Sequence, residues 1–120
     1  MKQVLLIDDD VMEHKLLETF LFRRYGGAFE LVWANTVSAA IEILRTRSFD
    51  AIFIDRILPP HLGARETFPL LAGHIGSSQV IYISSDTSSY QWQPDSNGVP
   101  IQFIDKLDMR DRIMNGLLDA

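Results

Sequence analysis

The feature that most constrains the fold is a series of five short apolar runs separated by helix-length segments. The runs are VLLI (4–7), FELVWA (29–34), AIFI (51–54), VIYI (80–83) and IQFI (101–104). Each has the length of a β-strand and is rich in β-branched or aromatic residues. Nearly continuous apolar runs are typical of strands covered on both faces, as in a parallel sheet. The pattern therefore predicts a doubly wound α/β fold.

The segments between the runs predict helices over residues 11–25, 37–47, 63–71 and 109–118. Their expected buried residues are Met12, Leu16, Leu17, Phe20 and Leu21 in the first helix, Val37, Ala40, Ile41 and Leu44 in the second, and Met109, Ile113, Met114 and Leu117 in the last. Thr36 is positioned to cap the second helix. Segment 84–98 is polar and contains Pro94 and Gly98, which predicts a loop or a frayed helix.

The overall composition indicates one globular domain without disulfides. The chain has 120 residues, no cysteine and a net charge of −5, which disfavours direct nucleic-acid binding. No apolar stretch approaches the roughly 20 residues of a membrane span. The start, MKQVLLIDDD, lacks the features of a signal peptide. We therefore expect a cytoplasmic protein without membrane insertion.

Charged and polar residues follow four of the predicted strands: Asp8 and Asp9, then Asp55, Ser84 and Lys106. Since ligands bind at the carboxyl ends of parallel strands, these side chains are expected to meet in one crevice, at the lip of the sheet and outside the core. Carboxylates at about 4 Å repel by around 4 kcal/mol per pair at an effective dielectric constant of 20. Mg²⁺ and the Lys106 ammonium are suited to offset this repulsion.

Such a site is suited to phosphoryl transfer. A carboxylate next to a metal ion and a lysine can attack phosphorus, while the two cations stabilise charge on the phosphoryl oxygens. The Ser84 hydroxyl can donate a hydrogen bond to one of those oxygens.

Four pieces of the sequence, VLLIDDD, FDAIFIDRILPPHLG, VIYISS and FIDK, occur in order over nearly the whole chain. Together they resemble the receiver domains of two-component response regulators, which are CheY-like. The resemblance implies one receiver domain over residues 1–120. It also implies a five-stranded parallel sheet in the flavodoxin-like order 2-1-3-4-5, here with a short or irregular fourth helix.

The resemblance implies a role for each matching residue. Asp55 is the implied phosphoacceptor, with Mg²⁺ held by Asp9, by Asp8 through water, by Asp55 and by the main-chain carbonyl of Ile57. Ser84 and Phe103 match the switch hydroxyl and the switch aromatic, and Lys106 matches the family lysine. Leu58, Pro59 and Gly63 fit the loop after the acceptor.

The sequence departs from the family pattern at three places. Leu107 follows Lys106 where proline is usual, so either that peptide bond is trans and the lysine sits differently, or a strained cis bond is retained. The polar segment 84–98 replaces the fourth helix, through which family members often signal. Ile57 places an apolar side chain where attacking water must pass, which predicts a long-lived phosphorylated form.

Other interpretations of single residues remain open at this point. Asp8 and Asp9 could cap the first helix, although Asp10 is the favoured cap. Ser85 replaces Ser84 if the strand register shifts by one residue. Phe103 fits a core position as well as a switch position. His14, His61 and His74 are interpreted as surface residues.

We therefore expect a phosphoacceptor domain that takes phosphate from a histidine kinase or a phosphotransfer protein and controls a downstream protein. It would catalyse only its own phosphorylation and dephosphorylation. The sequence contains no DNA-binding or enzymatic output module, and it leaves open whether the domain stands alone or is a fragment of a longer chain. One alternative is a pseudo-receiver that binds partners without phosphorylation. Another is a phosphatase with an aspartate nucleophile, which would place Asp8 at the reacting centre.

Overall fold

The computed structural model describes residues 1–56, 58, 63–84 and 101–119. Its strands are β1 (Lys2–Ile7), β2 (Phe29–Ala34), β3 (Ala51–Asp55), β4 (Gln79–Ser84) and β5 (Ile101–Asp105). They form one parallel sheet in the order β2-β1-β3-β4-β5. This confirms the predicted fold class and strand order.

The register of the sheet aligns the ends of the central strands. Ile7, the last residue of β1, pairs with Ile54 of β3, and Asp55 pairs with Ile83 of β4. Ser84 in turn pairs with Asp105 at the end of β5. The residues that follow these positions therefore emerge at the same edge of the sheet.

The described helices are α1 (Val11–Tyr25), α2 (Val37–Leu44), α3 (Ala64–Leu71) and α4 (Met109–Met114), and a 3-10 turn over Lys106–Asp108 leads into α4. Two of them begin at predicted caps. The Asp10 carboxylate accepts a hydrogen bond from the Met12 amide at 2.9 Å. The Thr36 hydroxyl accepts one from the Ala39 amide at 3.1 Å. These bonds satisfy amide groups that the first turn of a helix leaves unpaired.

The sheet is covered on both faces, as the continuous apolar runs predict. On one face, residues such as Ile54 and Tyr82 pack with α2 and α3. On the other face, residues such as Leu6 and Phe53 pack with α1 and α4. Segment 85–98, most of the predicted loop or frayed helix, lies outside the described residues.

The predicted face of α1 is partly wrong. Leu17 and Leu21 are fully buried, whereas Met12 is 55% exposed and Leu16 is 43% exposed. At about 100° per residue, Met12 and Leu16 point roughly 100° or more away from Leu17. The helical spacing of apolar residues thus grouped Met12 and Leu16 with residues that lie on another face of α1. It also missed Glu13, which lies on the buried side.

Two helices end earlier than predicted. The helix α2 ends at Leu44, and the Ile43 carbonyl in its last turn is shared between the amides of Thr46 and Arg47. The helix α4 stops at Met114 because Gly116 has a φ of 96°, in the left-handed region that ends helices. Met114, the last residue of α4, is exposed, and Leu118 beyond the helix is buried instead.

Candidate phosphoacceptor and metal site

Three carboxylates meet at the edge of the sheet where β1 and β3 end. Asp8 and Asp9 follow β1, and Asp55 is the last residue of β3. Ligand oxygens of all three lie within 4.8 Å of one another. The side chains differ in exposure, since Asp8 is buried, Asp55 is half-buried and Asp9 is exposed. The convergence follows from the strand register and matches the arrangement expected from the sequence.

Asp8 corrects the expectation that the acids lie outside the buried part of the molecule. It is fully buried, and its main-chain carbonyl accepts a hydrogen bond at 2.7 Å from the indole N–H of Trp33, near the end of β2. His14 stacks on Trp33 with ring centroids 5.1 Å apart. His14 is thus half-buried against Trp33, not a plain surface residue.

The electrostatics of Asp8 favour a nearby cation. Burial raises the pKa of Asp8 to about 7, and the negative charges of Asp55 and Glu13 add to the rise. The Asp10 amide, which donates to Asp8 Oδ1 at 2.9 Å, and the Lys106 charge oppose it. The other oxygen, Oδ2, is buried and has no hydrogen-bond partner among the described residues. An orphaned buried carboxylate oxygen is costly unless a proton or a cation satisfies it.

The donor set fits magnesium. Mg²⁺ prefers oxygen ligands and is usually held by one or two carboxylates together with water. Asp8 and Asp9 supply carboxylates next to Asp55, and the capping role is already taken by Asp10. The structure therefore favours the metal interpretation of Asp8 and Asp9 over the capping one.

Lys106 enters the same crevice from the end of β5. Its Nζ lies 3.9 Å from Asp55 Oδ2 and 3.5 Å from Glu13 Oε1. Burial alone would lower the pKa of Lys106, but the charges of Asp55, Glu13 and Asp8 offset that effect and raise it. The ammonium is thus held charged beside the carboxylate that is the implied acceptor.

Leu107 takes part in a local turn that a proline could not form in the same way. Its backbone N–H donates to Asp105 Oδ1 at 2.8 Å, which caps the 3-10 turn over Lys106–Asp108. Proline has no N–H to donate. The Leu107 side chain is 88% exposed, so the backbone and not the side chain fixes this turn.

Glu13 is a site residue that the sequence analysis missed. Its side chain is only 13% exposed, and one of its oxygens, Oε2, is buried with no hydrogen-bond partner in the part of the chain that the structure describes. The available signal was its position four residues before Leu17, which places it on the buried face of α1. A glutamate at a core-facing helix position, close to an acidic run, could therefore have been singled out as a candidate site residue.

Ser84 ends β4 and is buried, with 6% of its surface exposed. Its hydroxyl accepts a hydrogen bond from Arg56 Nε at 3.0 Å. Arg56, the residue directly after Asp55, was not singled out from the sequence. The alternative residue, Ser85, lies outside the described residues.

Phe103 lies on β5, opposite Tyr82 of β4. The two rings stack with centroids 5.5 Å apart, and Phe103 is half-buried against the core. The Tyr82 hydroxyl is in turn within 3.0 Å of the Thr67 hydroxyl on α3. Phe103 therefore makes the core contact that was expected as one interpretation, and its role as the switch aromatic stays a prediction.

Some expected site residues fall outside the described part of the chain. These are Ile57, Pro59 and His61. Of the remaining loop residues, Leu58 is fully buried and Gly63 precedes α3 as its N-cap residue. The third histidine, His74, is half-buried and lies away from the carboxylates, near pocket-lining residues such as Ser78.

No protein-family model and no curated protein matches the chain. Solved structures do match. A CheY-like receiver domain protein from Methanospirillum hungatei JF-1 is 14% identical, with a TM-score of 0.74 over 98% of this chain and 91% of that one. A LuxR family DNA-binding response regulator from Silicibacter pomeroyi is 20% identical, with a TM-score of 0.74 over 99% and 93%.

A third similar structure is the receiver domain of a sensor histidine kinase from Pseudomonas aeruginosa PAO1, determined with a magnesium ion coordinated in its active-site cleft. It is 16% identical, with a TM-score of 0.71 over 99% of this chain and 98% of that one. At these identities the likeness shows the fold. The chain has the fold of a response-regulator receiver domain. Among the described helices, none has the length and apolar character needed to cross a bilayer.

Proposed function

We propose that this chain is a phosphoacceptor receiver domain of a two-component system, with Asp55 as the acceptor. The observation that carries the proposal is the grouping of charges around Asp55. Its carboxylate lies within 4.8 Å of ligand oxygens of Asp8 and Asp9, and its Oδ2 lies 3.9 Å from Lys106 Nζ. An acceptor carboxylate with a metal-binding pair on one side and an ammonium on the other is arranged for phosphoryl transfer.

The chemistry at Asp55 is a displacement at phosphorus. A carboxylate oxygen of Asp55 forms the new P–O bond as the P–N bond to the donor histidine breaks, and the electron pair of that bond stays with the imidazole. Lys106 stabilises the negative charge on the phosphoryl oxygens. Asp8 and Asp9, together with Asp55 and the Ile57 carbonyl, are proposed to hold Mg²⁺. When bound, the metal supplies charge neutralisation between the carboxylates and the phosphoryl group.

The phosphorylated state is proposed to act through Ser84 and Phe103. Ser84 lies at the end of the strand next to β3, and its hydroxyl can donate to a phosphoryl oxygen on Asp55. Phe103 responds through its stack with Tyr82, which lies two residues before Ser84 on the same strand face. A shift of Ser84 would therefore reach the surface of β5.

The proposed partners are a histidine kinase or a phosphotransfer protein as donor and a downstream protein as target. The similar structures include receiver domains of a kinase and of response regulators, which supports partners of this signalling kind. We propose a cytoplasmic location and no catalysis beyond the domain's own phosphorylation and dephosphorylation.

The proposal is tested by incubation with Mg²⁺ and acetyl phosphate, followed by intact mass spectrometry. One added phosphoryl group is expected in the wild type and in Asp111→Asn, an exposed control that lies on α4. None is expected in Asp55→Asn or in the wild type with EDTA. A wild type that gains no phosphoryl group would favour the pseudo-receiver alternative.

The phosphatase alternative requires Asp8 to reach a substrate phosphorus. Asp8 is fully buried, and its Oδ1 already accepts the Asp10 amide. The half-buried Asp55 is the better placed nucleophile. Steady turnover of a phosphate ester that persists in Asp55→Asn and is lost in Asp8→Asn would reverse this conclusion.

A further inference from the structure

Arg56, the residue after Asp55, contacts Ser84 at the site, and the sequence motif around Asp55 does not predict this contact. Its backbone amide donates to the Ile83 carbonyl at 2.8 Å, which extends the pairing of β3 and β4 by one residue. Side chains two residues apart share a face of a strand, so Arg56 lies on the face of Ile54 and Ser84 on the face of Tyr82. Ile54 and Tyr82 are cross-strand partners, and Arg56 and Ser84 are therefore neighbours on one face.

The contact between the two side chains has a direction. Arg56 Nε donates to Ser84 Oγ at 3.0 Å, so the hydroxyl is the acceptor. A serine hydroxyl has one proton and two lone pairs, and its proton rotates to suit its surroundings. When Nε–H occupies a lone pair, the O–H bond must point away from the guanidinium. Arginine has no acceptor and stays protonated, so this direction does not reverse.

That direction matters because of what Ser84 has to do in the proposed reaction. A hydroxyl that helps a phosphoryl group on Asp55 must donate its proton to a phosphoryl oxygen. If the Ser84 hydroxyl rotates freely, ordering it costs entropy, and this cost reduces the stabilisation that its hydrogen bond gives the phosphoryl group. A hydroxyl that is already oriented does not carry this cost. Ser84 is buried, so a wrongly aimed hydroxyl cannot be corrected by bulk water.

We propose that Arg56 is a positioning residue, which orients the Ser84 hydroxyl toward the phosphoryl group on Asp55 through its Nε–H. This inference rests on the proposed function and adds a residue to it. The N–H donor carries the effect, and the positive charge of the guanidinium does not.

Two substitutions separate donor from charge. The Nε2 of glutamine lies the same number of bonds from Cα as the Nε of arginine, so Arg56→Gln keeps a donor at the same reach and removes the charge. Arg56→Met keeps similar length and removes the donor. Each is made in the wild type and in Ser84→Ala, and the rate of phosphorylation by acetyl phosphate and Mg²⁺ is followed by intact mass.

Arg56→Met is expected to slow phosphorylation of the wild type by about tenfold, the effect of losing one hydrogen bond. Arg56→Gln is expected to stay within about threefold of the wild type. In the Ser84→Ala background, Arg56→Met is expected to change the rate by less than about twofold, since a residue that acts through Ser84 has nothing left to orient. Melting temperatures identify any variant that reacts slowly because it is unfolded. If Arg56→Met is such a variant, the rate of Arg56→Gln relative to the wild type tests the inference.

The outcomes are distinguishable. Equal slowing by Arg56→Met in both backgrounds overturns the inference, because Arg56 would then act independently of Ser84. Slowing by Arg56→Gln as large as that by Arg56→Met also overturns it, because the charge would then be responsible. A wild type that accepts no phosphoryl group overturns the proposed function and this inference with it, whereas the other two results leave Asp55 as the acceptor.

Discussion

Lys106 Nζ lies 3.5 Å from Glu13 Oε1, closer than the 3.9 Å that separates it from Asp55 Oδ2. In this state the ammonium is shared between the implied acceptor and a glutamate of α1. Glu13 is thus a fourth acidic residue at the site, in contact with the lysine and not a member of the metal-binding trio.

The first prediction concerns the pKa of Lys106. Glu13→Gln removes one of the negative charges that raise this pKa, so the pKa of Lys106 is expected to fall. The measurement is an NMR titration of the lysine side chains, which is tractable because the chain has three lysines. Glu18→Gln, an exposed change on the same helix, is the control and should leave the pKa unchanged. An unaltered Lys106 titration in Glu13→Gln would show that the ion pair is not formed in solution.

The second prediction concerns stability without metal. At neutral pH and above, the Asp8 carboxyl must ionise in a buried place where its pKa is about 7, which costs folding free energy. Asp8→Asn removes the charge and keeps an oxygen for the Asp10 amide, so it is expected to raise the free energy of unfolding in EDTA by about 2 kcal/mol. Urea unfolding measures this.

The control is to measure the free energy of unfolding of the wild type and of Asp8→Asn again in Mg²⁺. Metal that binds only the folded state stabilises the wild type, so the difference in free energy of unfolding between the two proteins should narrow or reverse. An Asp8→Asn protein that is less stable than the wild type in EDTA would contradict the cost assigned to ionising the buried Asp8 carboxyl.

The third prediction uses Trp33 as a reporter of metal binding. Its indole donates to the Asp8 carbonyl, so Mg²⁺ at the carboxylates is expected to change Trp33 fluorescence in a Trp92→Phe background. Asp9→Asn should weaken Mg²⁺ binding by at least about tenfold, since it removes a charged ligand. Asp10→Asn is the matched control, because asparagine caps a helix as well as aspartate does. Equal weakening by both changes would indicate a general charge effect and no specific site.

The sequence was sufficient to predict the fold and most of the site because both follow from strand patterns. Apolar runs define the strands, and the edge of a parallel sheet then gathers Asp8, Asp55 and Lys106 without further information. Two contacts could not be predicted from these strand patterns. Glu13 depends on the rotation of α1, and the exposed Leu16 pointed to the wrong rotation. Arg56 depends on the register of β3 against β4.

Trp33 illustrates a second limit of sequence reasoning. Its apolar neighbours predict only that it belongs to β2, whereas its hydrogen bond to the Asp8 carbonyl depends on the pairing of β2 with β1. Asp8 is fully buried, so the expectation of acids outside the buried part was wrong for this residue. Contacts between side chains of different elements are not encoded in the periodicity of either element.

The fourth prediction concerns the turn that presents Lys106. Asp105→Ala removes the acceptor for the Leu107 amide and is expected to lower the free energy of unfolding by about 1 kcal/mol, the usual cost of a lost N-cap. It should also slow phosphorylation at Asp55, because Lys106 begins this turn. Asp105→Asn keeps the acceptor and should behave like the wild type in both measurements. A similar loss in the two variants would mean that the carboxylate charge, and not the cap, is what matters.

The fifth prediction concerns the pH dependence of stability at the far end of α1. Asp119 accepts hydrogen bonds from the Arg24 guanidinium and, at 2.6 Å, from the Tyr25 hydroxyl, and these bonds lower the pKa of Asp119. A carboxylate with a lowered pKa in the folded state contributes stability above its unfolded pKa and loses it as the pH falls through the folded value.

Asp119→Asn should therefore be less stable than the wild type at about pH 6, with the difference closing near about pH 2. The side chains of Arg24 and Asp119 are partly exposed, so added salt should also reduce the difference in stability between Asp119→Asn and the wild type. The measurement is urea unfolding across this pH range, with Asp108→Asn as the control because the Asp108 side chain makes no capping hydrogen bond. A difference that persists undiminished at the acid end would mean that Asp119 stabilises the turn after α4 through packing and not through its charge.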